Sequence, residues 1–361
     1  MIKQIKLFDP FIDTKEERIV KEILYSRFWA SGSGTDKVKK FEQSFTNYVG
    51  SDDCIAVNNG SSALNLALSL HDIKNKEVIV PSLTFVSTVN AIIQNGGIPI
   101  FVDVIPNTLC IDYSKIKKLI SKKTRVILPV HFGGMPCNLD EIVKICNEFN
   151  LVTIEDAAHA AGSSYNEKKI GSHSMAVCFS FHPVKNLAMP TGGLISLNHI
   201  NHKNYRKILE SRRWCGISDR HDGLYDVKEP GWNYYMNEFS AGIGLVQLSK
   251  LDKMNKIRLK IAKRYDKELN LEHKMPFNSE CSYHLYWIMA KNQKQFRKKM
   301  SEAKIETGIH YRPVHSMSYY KTKSILPITE TTGKHIVSIP IHPNLTETDI
   351  DRIIKSANTF C

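Results

Sequence analysis

Between residues 54 and 198 short apolar runs alternate with helical patterns, and no other feature restricts the fold as strongly. The runs are Cys54–Val57, Glu77–Val80, Ile98–Val104, Arg125–Val130, Leu151–Ile154, Ala176–Phe181 and Leu194–Leu197. Several are continuously apolar, which suits strands buried on both faces of a mainly parallel sheet. Between two of them, Leu139, Ile142, Val143, Cys146 and Phe149 recur at helical spacing, with Asn138 placed to cap the helix. Too little chain separates the last two runs for a helical crossover, so one of them is expected to run antiparallel. After Gly231 the pattern changes. Asn237–Glu268 reads as one long helix with Leu245, Leu248 and Leu251 on one side, and a mixed α/β segment follows to Cys361. A chain of 361 residues outgrows a single core. The expectation is a large α/β domain over 1–250 and a smaller C-terminal α/β domain over 251–361.

Composition narrows the function classes. The first residues, Met1-Ile2-Lys3-Gln4-Ile5-Lys6, are too polar for a signal peptide, and no stretch has the length of apolar chain a membrane span needs. A soluble cytoplasmic protein is expected, with no membrane partner. None of the eight cysteines forms a Cys-x-x-Cys pair, so scattered reduced thiols are expected and zinc or redox motifs are not. The net charge of +13 is mostly lysine spread along the chain, without the interleaved Arg and aromatic residues of nucleic-acid modules. It fits a solvated basic surface, or attraction of an anionic small substrate.

Ligands of parallel α/β sheets gather at the carboxyl ends of the strands, and three polar clusters lie there. Asn58-Asn59-Gly60-Ser61-Ser62 leads into an apolar helix, Ala63–Leu70, whose start offers free N–H groups to a phosphate. Glu155-Asp156-Ala157-Ala158-His159 follows the fifth run, and Ser180-Phe181-His182-Pro183-Val184-Lys185 closes the sixth. Alone, these read as a helix cap, a strand-end acid and a surface lysine. Together they match what pyridoxal phosphate requires: backbone donors for its phosphate, a carboxylate for its ring nitrogen and an amine for its aldehyde.

These residues resemble the nucleotide-sugar aminotransferase family (DegT/StrS type) of the fold-type I pyridoxal-phosphate enzymes. The similarity extends to Leu24–Gly32, to Val78–Thr88, to Gly231-Trp232-Asn233-Tyr234, to His310–His315 and to Ile339–Pro343. It implies an aspartate-aminotransferase-like large domain, with a mainly parallel seven-stranded sheet between helices. It also implies that Lys185 carries the cofactor covalently and later shuttles a proton, and that Asp156 holds the ring nitrogen protonated. Phe85 would lie over the ring and His159 beside its phenolic oxygen. Gly60, Ser61 and Ser180 would bind the phosphate, joined by Asn233 from a neighbouring subunit, which implies a homodimer with shared sites. Trp29, His310, Tyr311 and His315 fall in segments the family uses near substrate. No third ligand accompanies His310 and His315, so no metal is expected.

Two positions depart from the family pattern. Pro190-Thr191-Gly192-Gly193 stands where Gly-Glu-Gly-Gly is frequent, and Tyr235 where Arg is common. The activity implied is transfer of an amino group from L-glutamate to a keto group of a nucleotide-linked deoxysugar. Alternatives are a pyridoxamine-dependent sugar dehydratase, in which His typically replaces the lysine, and a non-catalytic cofactor-binding protein of the same fold.

Overall fold

The structure, a computed structural model, describes residues 3–320, 322 and 324–361. Strands β1 (Asp53–Val57), β2 (Glu77–Pro81), β3 (Ile98–Val102), β4 (Thr124–Ile127), β5 (Val152–Asp156), β8 (Ala176–Ser180) and β9 (Gly193–Leu197) form one seven-stranded sheet. The two-residue strands β6 (Ser164–Tyr165) and β7 (Lys168–Lys169) make a small hairpin between β5 and β8. The order across the sheet is β1-β9-β8-β5-β4-β2-β3. Neighbours pair parallel from β8 to β3, while β9 is antiparallel to both β8 and β1, as the short connection before it requires.

Period-two alternation along the strands builds two cores. Cys54 and Ala56 of β1 pack with α2 (Lys37–Val49) on one face, and the same core takes in α6 (Leu139–Phe149) and α8 (Glu238–Glu268). Ile55 and Val57 point to the other face and join α3 (Gly60–Ser69), α4 (Val86–Gln94) and α7 (His202–Arg213). The sheet is buried on both sides, which is why its strands tolerate so few polar residues. α1 (Thr14–Ser26) lies on α8, held by Lys250 to Glu16 at 2.7 Å and to Asp13 at 2.8 Å.

α8 is 31 residues long and is capped by Asn237, whose side chain accepts the Ser240 N–H. It runs unbroken through residue 250, so the two parts of the chain share one helix. Beyond it, β12 (Tyr286–Met289) and β13 (Ile336–Ile339) pair antiparallel, accompanied by α9 (Gln293–Glu302), α10 (Pro327–His335) and α11 (Glu347–Phe360). The N-terminal segment crosses to this part: Ile5 exchanges backbone bonds of 2.9 Å with Lys304 and Glu306, and His342 Nε2–H donates to Lys6 O at 3.1 Å. A hairpin, β10 (Ile217–His221) and β11 (Leu224–Val227), presents Leu224, Tyr225 and Val227 to solvent. A single-turn helix, α5 (Tyr113–Ile116), completes the elements.

Where element ends differ from expectation, partnered polar groups explain it. β5 continues through Glu155 and Asp156 because each carboxylate finds a hydrogen-bond partner inside. Glu155 accepts from His131 Nε2–H at 2.6 Å, and Cys137 N–H bonds the other ring nitrogen, fixing that tautomer. β4 stops at Ile127, since Pro129 has no N–H to donate. α3 begins at Gly60, before its apolar stretch, because Asn59 caps it by accepting the Ser62 N–H. No helix among the described residues is long and apolar enough to cross a membrane.

Candidate active site

A cavity of about 390 Å³ opens at the carboxyl ends of β1, β2, β5 and β8. It gathers Gly60, Ser61, Phe85, Asp156, His159, Ser180, Lys185, His310 and Tyr311 from the residues singled out by sequence. One wall is the start of α3. Asn59 uses the Ser62 N–H for its cap, which leaves the N–H groups of Gly60 and Ser61 without intrahelical partners at the positive end of the helix. The chain packs so closely here that a Cβ on Gly60 would fall 2.7 Å from Ser180 Cβ. Likewise, a Cβ on Gly193 would fall 2.3 Å from the Asn59 carbonyl. The Gly-Gly retained after Thr191 is therefore needed by the cradle itself. Thr191 also has a partner there, as its hydroxyl donates to Asn58 O.

Opposite the cradle lies Asp156, buried at the end of β5. Its Oδ2 accepts from Thr88 Oγ1 at 2.7 Å and its Oδ1 from Ala158 N–H at 3.0 Å. Thr88 spends its proton on the acid, so Thr84 Oγ1, 2.8 Å away, donates to Thr88. Burial raises the Asp156 carboxyl above its ordinary value, opposed by these bonds and by the Lys185 charge. Such a site favours a cation placed against the carboxylate.

Lys185 is turned back over the cavity by a tight turn in which its N–H bonds His182 O at 2.8 Å. Burial pushes its ammonium down to about 8, with Asp156 working against the shift. The free-base amine, the form a nucleophilic lysine uses, is therefore roughly a tenth of the population at pH 7, far more than for an ordinary lysine. Burial holds His159 and His310 neutral, His310 down to about 4. Gly133 N–H donates to His159 Nδ1 at 3.2 Å, so His159 Nε2–H donates to the Tyr311 oxygen at 3.0 Å. Phe85 stands at the mouth with 53% of its surface exposed, an apolar face waiting for a flat partner.

Three of the sequence candidates lie outside this cavity. Trp29 packs on Phe239 at 5.9 Å and its carbonyl accepts the Glu238 N–H, so it belongs to the start of α8. His315 is turned inward: Ser82 Oγ accepts its backbone N–H at 3.0 Å and donates to Nδ1 at 2.6 Å. That pair locks its loop to the end of β2. Asn233 is exposed, with only its carbonyl engaged, by Asn58 Nδ2–H at 3.3 Å. Tyr235 likewise does not line the cavity of its own subunit. Among the described residues, no group of three or more His, Cys, Asp or Glu side chains could hold a metal ion.

The structure adds Phe8, Thr84 and Thr88 to the lining, and His284 beside Lys185. Thr84 and Thr88 flank Phe85 with helical spacing, a signal present in the sequence. Phe8 and His284 come from distant segments and carry no local signature.

The geometry agrees with comparison to known proteins. The profile of the DegT/DnrJ/EryC1/StrS aminotransferase family matches residues 10–358. The spore coat polysaccharide biosynthesis protein SpsC of Bacillus subtilis is 33% identical over 370 residues, covering 96% of this chain and 94% of its own. PseC of Helicobacter pylori, an aminotransferase involved in pseudoaminic acid biosynthesis, superposes with a TM-score of 0.93 at 25% identity, over 99% of both chains. Spr1654 of Streptococcus pneumoniae, solved in its pyridoxal-phosphate form, gives a TM-score of 0.93 at 26% identity, over 99% of this chain and 98% of its own. With the motifs, the fold and the cavity in agreement, the chain belongs to the DegT/DnrJ/EryC1/StrS family of pyridoxal-phosphate-dependent sugar aminotransferases.

Proposed function

We propose that this protein transfers the amino group of L-glutamate to a keto carbon of a nucleotide-linked deoxysugar. The observation that carries the reading is one cavity holding the free N–H groups of Gly60 and Ser61, the buried Asp156 carboxylate and the Lys185 amine. These residues fit pyridoxal phosphate: cradle for the phosphate, Asp156 for the ring nitrogen, Phe85 for the ring face. When bound, the cofactor supplies an aldehyde for amine chemistry and a ring that withdraws an electron pair. Asp156 holds a proton on the ring nitrogen, backed by Thr88 and Thr84. Lys185 provides covalent attachment, and its free amine takes and returns the proton at the carbon that loses or gains nitrogen. Overall, glutamate and the keto sugar become 2-oxoglutarate and the amino sugar.

The roles of SpsC and PseC support a sugar acceptor, and the net charge of +13 suits a substrate bearing phosphates. Supplying isotope-labelled glutamate with a panel of nucleotide-linked 3-keto and 4-keto sugars tests the proposal. Mass spectrometry should find the labelled nitrogen on at least one sugar. Efficient labelling of simple 2-oxo acids, with none on any sugar, would overturn it.

The active site is further proposed to be shared between two subunits, with Asn233 reaching the neighbour's phosphate. Asn237, not Asn233, caps α8, so the exposed Asn233 side chain is not committed to its own helix. Lys185→Ala and Asn233→Asp should each be inactive as homodimers. Mixed and refolded together, they should recover about a quarter of wild-type activity, because each mixed dimer has one intact site. No recovery, with mixed dimers demonstrated by tagging, would place each site within one chain.

A further inference from the structure

His284 sits just before β12, 2% exposed, and its role is not yet accounted for. Its Nε2 lies 3.4 Å from Lys185 Nζ. The ring stacks on Phe8 with centroids 5.5 Å apart and planes 18° from parallel, and its centroid is 4.6 Å from that of His159. Its Nδ1 is buried without a hydrogen-bond partner.

A neutral imidazole has one N–H and one bare nitrogen. With hydrogen on Nε2, the orphan Nδ1 is an unsatisfied acceptor, which a protein interior tolerates better than an unsatisfied N–H. Nε2–H then points at Lys185 Nζ, which can accept only through the lone pair of a neutral amine. An ammonium at Lys185 would have to donate instead. That moves the imidazole hydrogen to Nδ1, where it meets no acceptor. We infer that His284 is a positioning residue that holds Lys185 Nζ and selects its neutral, proton-accepting amine over the ammonium. The inference rests on Lys185 being the lysine that carries the cofactor.

The other groups facing Lys185 do not make this selection. Asp156, from β5, favours the ammonium. His159, His182 and His310 are each lowered, by burial first and then by the Lys185 charge, and stay neutral near pH 7. The Tyr311 phenol is pushed up by burial and keeps its proton. His284 itself is kept neutral by burial first, and any charge on Lys185, together with Arg258, acts in the same direction.

Acetylation of Lys185 across pH in the cofactor-free full chain, read by peptide mass spectrometry, reports the neutral amine without turnover. His284→Gln offers both an amide N–H and a carbonyl and can turn to accept from an ammonium. The labelling midpoint should rise by about one pH unit, making Lys185 about tenfold less reactive near pH 7. His284→Phe keeps a ring against Phe8 but removes the N–H that holds the neutral amine, so its midpoint should also rise, by less than in His284→Gln, which adds an acceptor for the ammonium. Should the glutamine variant fail to fold, the phenylalanine variant decides alone: a rise supports the inference, and a midpoint at or below wild type overturns it. An unmoved or lowered midpoint in folded His284→Gln also overturns it. Borohydride reduction and peptide mapping of the cofactor-loaded wild type reads the underlying premise separately, since an adduct on another lysine would refute the premise alone.

Discussion

Lys185→Ala should purify without the visible absorption band of covalently held cofactor and should lose at least about 10³–10⁴-fold in kcat. Among the described residues lining the cavity, Lys185 is the only lysine, and none of these offers a second amine to replace it. The proposed phosphate cradle, the backbone N–H groups at the start of α3, does not involve the lysine, so the variant should still retain cofactor through dialysis. Its fold should survive too, because the turn before it is held by a backbone bond from His182 O to the residue 185 N–H. A borohydride-reducible adduct persisting in the variant's active site would refute the assignment.

Asp156→Asn is the second large effect, and its two consequences have opposite signs. Turnover should fall by about 10²–10³-fold, since a neutral amide cannot hold a proton on the ring nitrogen by charge. Stability should not fall with it. An asparagine oxygen can still accept the Ala158 N–H, and its amide can donate to Thr88, which now turns its own proton elsewhere. Burial raises the Asp156 carboxyl in the folded chain, so the unfolded chain ionises first as pH rises. The ionised acid therefore lowers the stability of the cofactor-free protein above the ordinary carboxylate range. At pH 7 the cofactor-free variant should melt at the same temperature as wild type or higher, and the difference should vanish near about pH 3, where the acid is protonated in both states. Full turnover with full cofactor occupancy would show that another residue faces the ring nitrogen.

What could be read from sequence was what depends on neighbours in the chain. Apolar runs marked the strands, and strand ends marked Asp156, Ser180 and Lys185, because ligands of such sheets gather there. Gly60 was visible as the entry to a helix, although the apolar pattern put the helix start three residues late and only the Asn59 cap corrects it. The residues that complete the site are set by packing between remote segments. Nothing near Phe8 or His284 distinguishes them until the N-terminal segment and the chain before β12 close on the same wall. His315 shows the converse. It lies within a motif shared with the family, yet its ring is taken up by Ser82 and holds a loop instead of facing the cavity. A motif names which segment approaches the site, while side-chain partners decide which of its residues enters.

The crossing of the N-terminal segment bears on how the enzyme is made. Residues 4–9 are synthesised long before their partners, Lys304, Glu306, His342 and Asn344. Until those have left the ribosome the segment lacks its pairing partners, and the cavity wall that Phe8 forms with His310 is open to water. The cofactor cradle of α3 and the acid of β5 can form long before. The closed wall of the cavity therefore depends on chain made about three hundred residues after the segment that supplies Phe8, and closure of the site is among the last steps of assembly.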